Sequence, residues 1–238
     1  MMFKHKRRPY RFVVVDDSII FIQGVRSTVR NTPHLELVGW ANTPEEAIKK
    51  YKQVRPDVVV VDLCLPEHRA SQSQLIRHAD PRCGLDLIRT LRGQRRNGPR
   101  ILATSTRVED GLIVQAMRAG AKGFVDRDID PDQFLGAITR VAKGDTVFDD
   151  RHFHLVKEVE KIDQALTRRE RQVLRLLCQG SSNKQIAEHL GISVRTAESY
   201  VRSLCDKFGV SKRYEVTTKA WRLGLCLTSS NGKIIWLL

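Results

Sequence analysis

Five short apolar segments alternate with helical segments over the first 145 residues, and this order constrains the fold more than any other feature of the chain. Several of these segments are apolar throughout, as expected for parallel strands that are covered on both faces. The predicted strands are residues 12–15, 35–40, 57–61, 101–103 and 123–125. Strand–helix alternation repeated five times predicts an open, doubly wound, parallel α/β sheet.

Two of the helices between these strands carry N-terminal signals. Thr43 is a capping residue, Pro44 suits the first helical position, and Glu46 stands three residues after the cap. The segment 130–133, Asp-Pro-Asp-Gln, repeats the same device. The sequence therefore predicts helices that begin near residues 44 and 131.

Acidic residues follow two of the predicted strands. Asp16 and Asp17 come after the first strand and Asp62 after the third, whereas Ser105 follows the fourth and Arg127 the fifth. Ligands of such sheets bind at the carboxyl ends of the strands, where these side chains would converge. Because like charges repel at that distance, a cation is expected, and hard oxygen ligands favour Mg²⁺.

The last third of the chain has a different pattern, with two capped helices separated by a tight turn. Thr167 and Glu170 predict one helix start, and Ser182 and Gln185 predict the next. A third helix is expected from Ser193 to about residue 208, and a fourth from about 214 to 222. The second and third helices would cross over a turn near residue 191, which leaves the third free to enter a DNA groove.

The charge of the chain favours a polyanionic partner. The net charge is +14, and residues 166–238 hold 13 basic and 5 acidic side chains. A basic compact domain attracts nucleic acid, because binding releases counterions from the phosphates.

The N-terminal part resembles the receiver domain of bacterial two-component response regulators. The resemblance rests on Val15-Asp16-Asp17, on the run from Val61 to Pro66, and on the run from Ala119 to Phe124. The C-terminal part resembles the LuxR-type helix-turn-helix, and the two together resemble the NarL/FixJ class. The resemblance implies a flavodoxin-like receiver at 11–144 after a basic arm at 1–10. A linker at 145–165 would follow, and then an all-α four-helix DNA-binding domain at 166–238 with an apolar C-terminal tail.

The resemblance also implies roles for the receiver residues. Asp62 would accept a phosphoryl group from a histidine kinase. Asp17 and Asp62 would hold Mg²⁺ together with the carbonyl of Cys64, and Asp16 would complete the metal site mainly through water. The expected switch residues are Ser105, with Thr104 as an adjacent alternative, together with Phe124 and Arg127.

Two features depart from the family pattern. Arg127 stands where the family normally has Lys, and it would either clamp Asp62 and mimic a constitutive state or only alter the switch. An inserted segment at 67–83 would emerge beside Asp62, where it would cover the pocket or dock a partner. Its His68, His78 and Cys83 form no familiar zinc pattern with Cys64.

The third helix of the C-terminal domain is the predicted recognition helix. Arg195 and Thr196 would contact phosphate at its N-terminus, and Glu198, Ser199 and Arg202 would enter the major groove. Lys184 of the preceding helix would contact the DNA backbone. The alternative is that Glu198 and Arg202 form a surface ion pair with no role in DNA binding.

These observations predict a homodimeric transcriptional regulator that binds promoter DNA at inverted-repeat half-sites. An odd count of five Cys and the lack of an apolar run or secretion signal predict a cytoplasmic protein with no membrane partner. The apolar tail at 231–238 is expected to pack on the helices or on a partner subunit.

Three competing functions are weighed against this prediction. We do not expect an enzyme, since a hydrolase acting through Asp62 would lack a general acid or base. A regulator switched without phosphorylation (by a ligand, by a partner or constitutively) would keep the same DNA-binding domain. An interaction protein would instead dock another regulator and leave its helix-turn-helix idle.

Overall fold

A computed structural model describes residues 8–65, 81–93, 98–228 and 234–237 of the chain. The chain divides into two compact units. The first comprises residues 1–108 and 115–148, and the second comprises residues 109–114 and 149–238. The predicted N-terminal arm lies mostly outside the described residues, as does most of the predicted insertion at 67–83, including His68 and His78.

The first unit contains the predicted five-stranded parallel sheet, with strand order β2-β1-β3-β4-β5. The strands are β1 (Tyr10–Val15), β2 (Leu35–Ala41), β3 (Val58–Asp62), β4 (Arg100–Ser105) and β5 (Gly123–Asp126). Every residue of β3 is buried, as expected for a central strand covered on both faces. Asp62 and Ser105 are the last residues of β3 and β4, because these strands end one and two residues later than predicted.

Helices connect these strands and form the two outer layers. They are α1 (Ile19–Val29), α2 (Pro44–Val54), α3 (Pro81–Gly93), α4 (Asp110–Ala119) and α5 (Pro131–Lys143), and residues 110–114 of α4 belong to the second unit. The predicted caps are confirmed, because Thr43 accepts a hydrogen bond from the amide of Glu46 and Asp130 accepts from Asp132 and Gln133. The doubly wound fold predicted from the alternation is therefore confirmed.

The second unit contains the four predicted helices and further elements that the sequence analysis did not predict. Its elements are α6 (Asp150–Ala165), α7 (Arg168–Cys178), α8 (Asn183–Leu190), α9 (Val194–Phe208), α10 (Arg213–Arg222), β6 (Cys226–Thr228) and β7 (Ile234–Trp236). Helix α6 occupies most of the segment assigned as a linker. Strands β6 and β7 pair antiparallel, and Ile234 and Trp236 pack against the helical core, so the described part of the apolar tail agrees with the first of its two expected positions.

The turn between α8 and α9 fixes the angle at which the two helices meet. Gly191 adopts a left-handed conformation, φ 63°, and its amide donates to the carbonyls of Ala187 and Glu188 at the end of α8. Glycine adopts this conformation without steric cost, which ends α8 and lets Ser193 cap α9 two residues later.

Within the residues that the structure describes, no helix combines the length and the apolar character needed to cross a membrane.

Helix α3 approaches the backbone that follows β3 so closely that one of its positions requires glycine. A Cβ atom added to Gly84 would lie 2.6 Å from the carbonyl oxygen of Leu63 and 2.7 Å from that of Asp62. We expect Gly84→Ala to lower the free energy of unfolding by about 1–3 kcal/mol, because the helix must move away from this backbone. Urea denaturation measures the change.

Gly136→Ala is the matched control, since a Cβ at this exposed position of α5 has no neighbour within 4 Å. It should raise stability by roughly 0.5–1 kcal/mol through helix propensity. Equal effects of the two substitutions would contradict the close packing of α3.

Candidate metal centre and nucleic-acid interface

Three carboxylates meet at the carboxyl edge of the sheet. Asp16 and Asp17 follow β1 and Asp62 ends β3, and because β1 and β3 are neighbours, one oxygen from each side chain lies within 4.8 Å of the others. Asp16 and Asp62 are buried, and Asp17 is partly buried. The structure thus brings together the three residues that the sequence analysis assigned to a metal site.

Backbone amides hold one oxygen of each buried carboxylate. The amide of Ser18 donates to Oδ1 of Asp16 at 2.7 Å, and the amide of Cys64 donates to Oδ1 of Asp62 at 3.1 Å. Oδ2 of Asp16 is buried without any hydrogen-bond partner. An unsatisfied buried carboxylate oxygen is costly, so this atom is well suited to bind a cation.

Burial changes the protonation of both carboxylates. It raises the pKa of Asp16 to about 7, and the negative charge of Asp62 adds to that rise. Burial also raises the pKa of Asp62 to about 6, against the opposing effects of the Cys64 amide and the Arg127 guanidinium. Both charges are therefore poorly solvated, so a cation beside them would be strongly favoured.

Arg127 supplies a positive charge at this edge. Its Nη1 lies 2.9 Å from Oδ2 of Asp62 and 3.4 Å from Oδ2 of Asp16. The guanidinium carbon is 5.3 Å from the centre of the Phe21 ring, a cation–π distance. The contact with Asp62 agrees with one of the two alternatives considered for Arg127, and the second contact, to Asp16, was not predicted.

The candidate switch residues lie around the same edge. Oγ of Ser105 accepts from the amide of Arg107 and lies 3.7 Å from the sulfur of Cys64, whose own amide holds Asp62. The hydroxyl of Thr104 is buried without a partner. The amide of Phe124, on β5, donates to the carbonyl of Val147, and its side chain is partly buried. Ser105 therefore has a contact that leads to the acidic cluster.

The donor set of the cluster fits a divalent cation. Carboxylate oxygens are the ligands that Mg²⁺ prefers, and Oδ2 of Asp16, which accepts no hydrogen bond, suits this role. Asp16, Asp17 and Asp62 could therefore hold Mg²⁺, and Cys64, whose carbonyl the resemblance adds to the set, stands two residues after Asp62.

In the second unit, α9 has one buried face and one exposed face. Its apolar residues Ala197, Val201, Leu204 and Phe208 are buried in the helical core. All six predicted contact residues are exposed: Lys184, Arg195, Thr196, Glu198, Ser199 and Arg202. These six residues form the predicted DNA-contacting surface, called the reading face below, and it is accessible within its own unit.

On this face the hydroxyl side chains have local hydrogen-bond partners, whereas Glu198 and Arg202 form no ion pair with each other. The hydroxyl of Thr196 contacts that of the capping residue Ser193 at 2.7 Å, and Ser199 donates to the carbonyl of Arg195. Among the ion pairs formed by described residues, none joins Glu198 to Arg202, so the structure does not show the alternative surface pair. The charged ends of Glu198 and Arg202 thus remain available to a partner.

An ion pair between Glu170 and Lys207, which the sequence analysis did not predict, joins α7 to α9. Glu170 is 4% exposed and binds Lys207 and Ser203, both on α9. It also closes the cap of α7 through the amide and hydroxyl of Thr167, and Lys207 donates to the carbonyl of Ala165. The Thr167–Glu170 spacing predicted the cap, but no local signal indicated the contacts with α9.

A groove next to the reading face contains two further basic residues. It lies between the start of α7 and α9, has a volume of about 580 Å³, and is lined by Thr167, Arg168, Arg169, Glu170, Thr196, Ser199, Tyr200 and Ser203. Arg168 and Arg169 are exposed, and Lys207 neutralises Glu170. The sequence showed these arginines only as part of the general charge excess.

Comparisons with known proteins identify both units. Residues 12–139 match the response regulator receiver domain family, and residues 164–220 match the luxR family of bacterial regulatory proteins. The chain is 32% identical over 217 residues to the nitrate/nitrite response regulator protein NarP of Escherichia coli strain K12, covering 88% of this chain and 93% of NarP. It is 30% identical to the DNA-binding transcriptional activator DevR/DosR of Mycobacterium tuberculosis, with the same coverage.

Solved structures agree on the fold. RcsB from Salmonella enterica serovar Typhimurium, bound to a promoter in the presence of phosphomimetic BeF3⁻, superposes with a TM-score of 0.62. The match is 20% identical and covers 90% of this chain and 98% of RcsB.

The Glu170 cluster gives a prediction about acid stability. Burial alone would raise the pKa of Glu170, but hydrogen bonds from Lys207, Ser203 and Thr167 lower it to about 2. Because the folded-state pKa lies below the unfolded value, the stabilisation is complete above about pH 4.5 and is lost as the pH falls toward 2. Glu170→Gln should lower the free energy of unfolding at pH 7 by about 2–3 kcal/mol and flatten its dependence on pH below 4.5.

Denaturation between pH 2.5 and 7 measures this effect. Glu188→Gln, at an exposed position of α8, is the matched control and should change neither value. A pH profile of Glu170→Gln that parallels the wild type would contradict the assignment.

Proposed function

Because the chain belongs to the response regulators, whose receiver domain is here followed by a luxR-family regulatory domain, we propose that it is a transcriptional regulator that binds DNA through α9 and is controlled at Asp62. The observation that carries the proposal is the division of α9 into an apolar buried face and an exposed polar face. DevR/DosR is named as a DNA-binding activator, and the RcsB structure holds a promoter, which supports the same role here.

Asp62 is the proposed phosphoacceptor. A carboxylate oxygen of Asp62 would attack the phosphorus of a phosphohistidine on a kinase, forming a P–O bond as the P–N bond breaks. The imidazole leaves with the bonding electrons and takes up a proton. The Cys64 amide holds the second carboxylate oxygen and orients the group for this attack.

Asp16, Asp17 and Asp62 would hold Mg²⁺ for this step. When bound, the ion neutralises charge on the phosphoryl oxygens and on the carboxylates. These three side chains are gathered by adjacent strand ends, so the geometry needs no movement of the sheet.

Ser105 and Phe124 are the proposed switch residues. The hydroxyl of Ser105, already linked to Cys64, would donate to a phosphoryl group on Asp62 and give up its bond from the Arg107 amide. The loop after β4 would move as a result, and Phe124 on the next strand would follow it. Thr104 is less suited, since its hydroxyl has no contact that leads to the cluster.

On the DNA, we assign Arg202 and Glu198 to base edges and the remaining residues to phosphates. Arg202 can donate two hydrogen bonds to guanine, and Glu198 can accept from cytosine. Thr196 and Ser199 have local hydroxyl partners and suit backbone contacts, as do Lys184 and Arg195. Arg168 and Arg169 would add phosphate contacts through the groove beside α9.

We further propose that the regulator acts as a homodimer on inverted-repeat half-sites, because a single short recognition helix reads few base pairs. In this role Asp62 accepts one phosphoryl group per signal and is not the centre of a turnover enzyme.

A second mode of control is favoured by the two contacts of Arg127. Its guanidinium pairs with both Asp62 and Asp16, so the receiver would be held in one state without phosphorylation.

Phosphotransfer separates these two modes. Incubation of the full chain with acetyl phosphate and Mg²⁺ should give a retarded band in a phosphate-affinity gel, and Asp62→Asn should remove it because an amide is a poor nucleophile. Asp145→Asn, at an exposed aspartate of the same unit, should keep the band. A wild-type chain that gives no band, under conditions that modify a standard receiver, would contradict control by phosphorylation and support the Arg127 mode.

Substitutions on and beside α9 should affect DNA binding differently. Arg202→Ala should weaken binding to a selected sequence by about 1–3 kcal/mol and broaden the sequence preference, because a base contact is lost. Arg169→Ala should weaken binding to all duplexes alike and reduce the salt slope by about 1.

Anisotropy titrations at several salt concentrations, on fragments selected from random double-stranded DNA, measure both effects. Lys49→Ala removes one exposed charge from α2 and is the control, which should leave the affinity, the sequence preference and the salt slope unchanged. Unchanged affinity and preference in Arg202→Ala would contradict the assignment of α9.

A further inference from the structure

One nitrogen of Arg127 lies between the two buried carboxylates. Nη1 contacts Oδ2 of Asp62 at 2.9 Å and Oδ2 of Asp16 at 3.4 Å, and the latter oxygen has no hydrogen-bond partner. Both carboxylates belong to the cluster whose ligand atoms lie within 4.8 Å of one another. The guanidinium therefore acts as the counter-ion of the cluster when no metal is bound.

A bound metal would compete with Arg127 for these oxygens. Mg²⁺ requires oxygen ligands at about 2.0–2.1 Å in near-octahedral geometry, which leaves no room for Nη1 between them. Two positive centres a few ångströms apart in a buried site also repel strongly. Arg127 must therefore move before the metal can take both carboxylates.

The structure provides a place to which the guanidinium can move. Arg127 lines a cavity of about 190 Å³ between α1 and α5, together with Phe21, Gly24, Thr28 and Phe134. Its guanidinium carbon is already 5.3 Å from the centre of the Phe21 ring. The rings of Phe21 and Phe134 pack edge to face, with their centroids 5.6 Å apart. An arginine displaced into this cavity would keep an aromatic partner.

We propose that Arg127 is a two-position counter-ion, which bridges Asp16 and Asp62 in the metal-free protein and moves into the α1–α5 cavity against Phe21 when Mg²⁺ binds. The proposal rests on the metal site of the proposed function. It makes the cavity part of the metal equilibrium, because the affinity for Mg²⁺ depends on whether the cavity is open. Lysine has no planar group to stack on Phe21, which gives the arginine at this position a specific role.

Gly24 allows the cavity to be filled without a change of charge. A Cβ at Gly24, in the middle of α1, would have no neighbour within 4 Å. Gly24→Leu should fill the cavity, and Gly24→Ala is the matched control that leaves most of it open. Thr28→Leu fills the cavity from a second position and serves if Gly24→Leu does not fold.

The test is a double-mutant cycle on the full chain, with Mg²⁺ binding measured by calorimetry. Relative to Gly24→Ala, Gly24→Leu should raise the Kd for Mg²⁺ by at least about threefold, because Arg127 loses its second position. In the Arg127→Gln background, Gly24→Leu and Gly24→Ala should have equal Kd values for Mg²⁺. Mg²⁺ should also shift the ring resonances of Phe21 in Gly24→Ala and not in Gly24→Leu.

Three outcomes would overturn the proposal. Equal Kd values for Gly24→Leu and Gly24→Ala would show that the cavity does not affect Mg²⁺ binding. A difference that persists in Arg127→Gln would show that the cavity acts without Arg127. A wild type that binds no Mg²⁺ at all would overturn the metal site of the proposed function, and this inference with it, whereas the first two outcomes leave that site intact.

Discussion

The receiver site depends on the cost of burying like charges. Asp16 and Asp62 are placed side by side by adjacent parallel strands, and both side chains are removed from water. Burial without a positive partner strongly disfavours the ionised form of either carboxylate. Arg127, which follows a strand two places away from β3 in the sheet, supplies one positive charge that the two carboxylates share through a single nitrogen. The need for a positive partner explains why the arginine lies at this sheet edge, where the proposed metal would also bind.

The second unit follows the same physical rule at Glu170. This buried carboxylate is neutralised by Lys207 and hydrogen-bonded by Ser203, so it ties the start of α7 to the back of α9. The pair joins α9 to α7, while Glu198 and Arg202 on the exposed face of α9 form no ion pair with each other. The buried charge thus stabilises the position of α9, and the exposed charges are the ones proposed to contact DNA.

Arg127 also connects the acidic site to helices α1 and α5. The guanidinium of Arg127 is planar, so one of its nitrogens can bind two carboxylates while its flat group lies over an aromatic ring, whereas lysine offers only a compact ammonium. The contact with Phe21 leads to α1, and the packing of Phe21 on Phe134 leads to α5. Ser105, on β4, contacts Cys64, whose amide holds Asp62, so a second set of contacts connects the site to the sheet.

The sequence by itself determined the parts of the protein that depend on local signals. The strand–helix alternation, the caps at Thr43 and Thr167, and the acidic residues at strand ends all follow from periodicity and hydrogen bonding over a few residues. Only the tertiary structure decided that Arg127 bridges Asp62 to Asp16, that Lys207 neutralises Glu170 37 positions away, and that the tail forms a hairpin. These contacts join segments that are distant along the chain, so they depend on how the helices and strands pack, which local patterns do not specify.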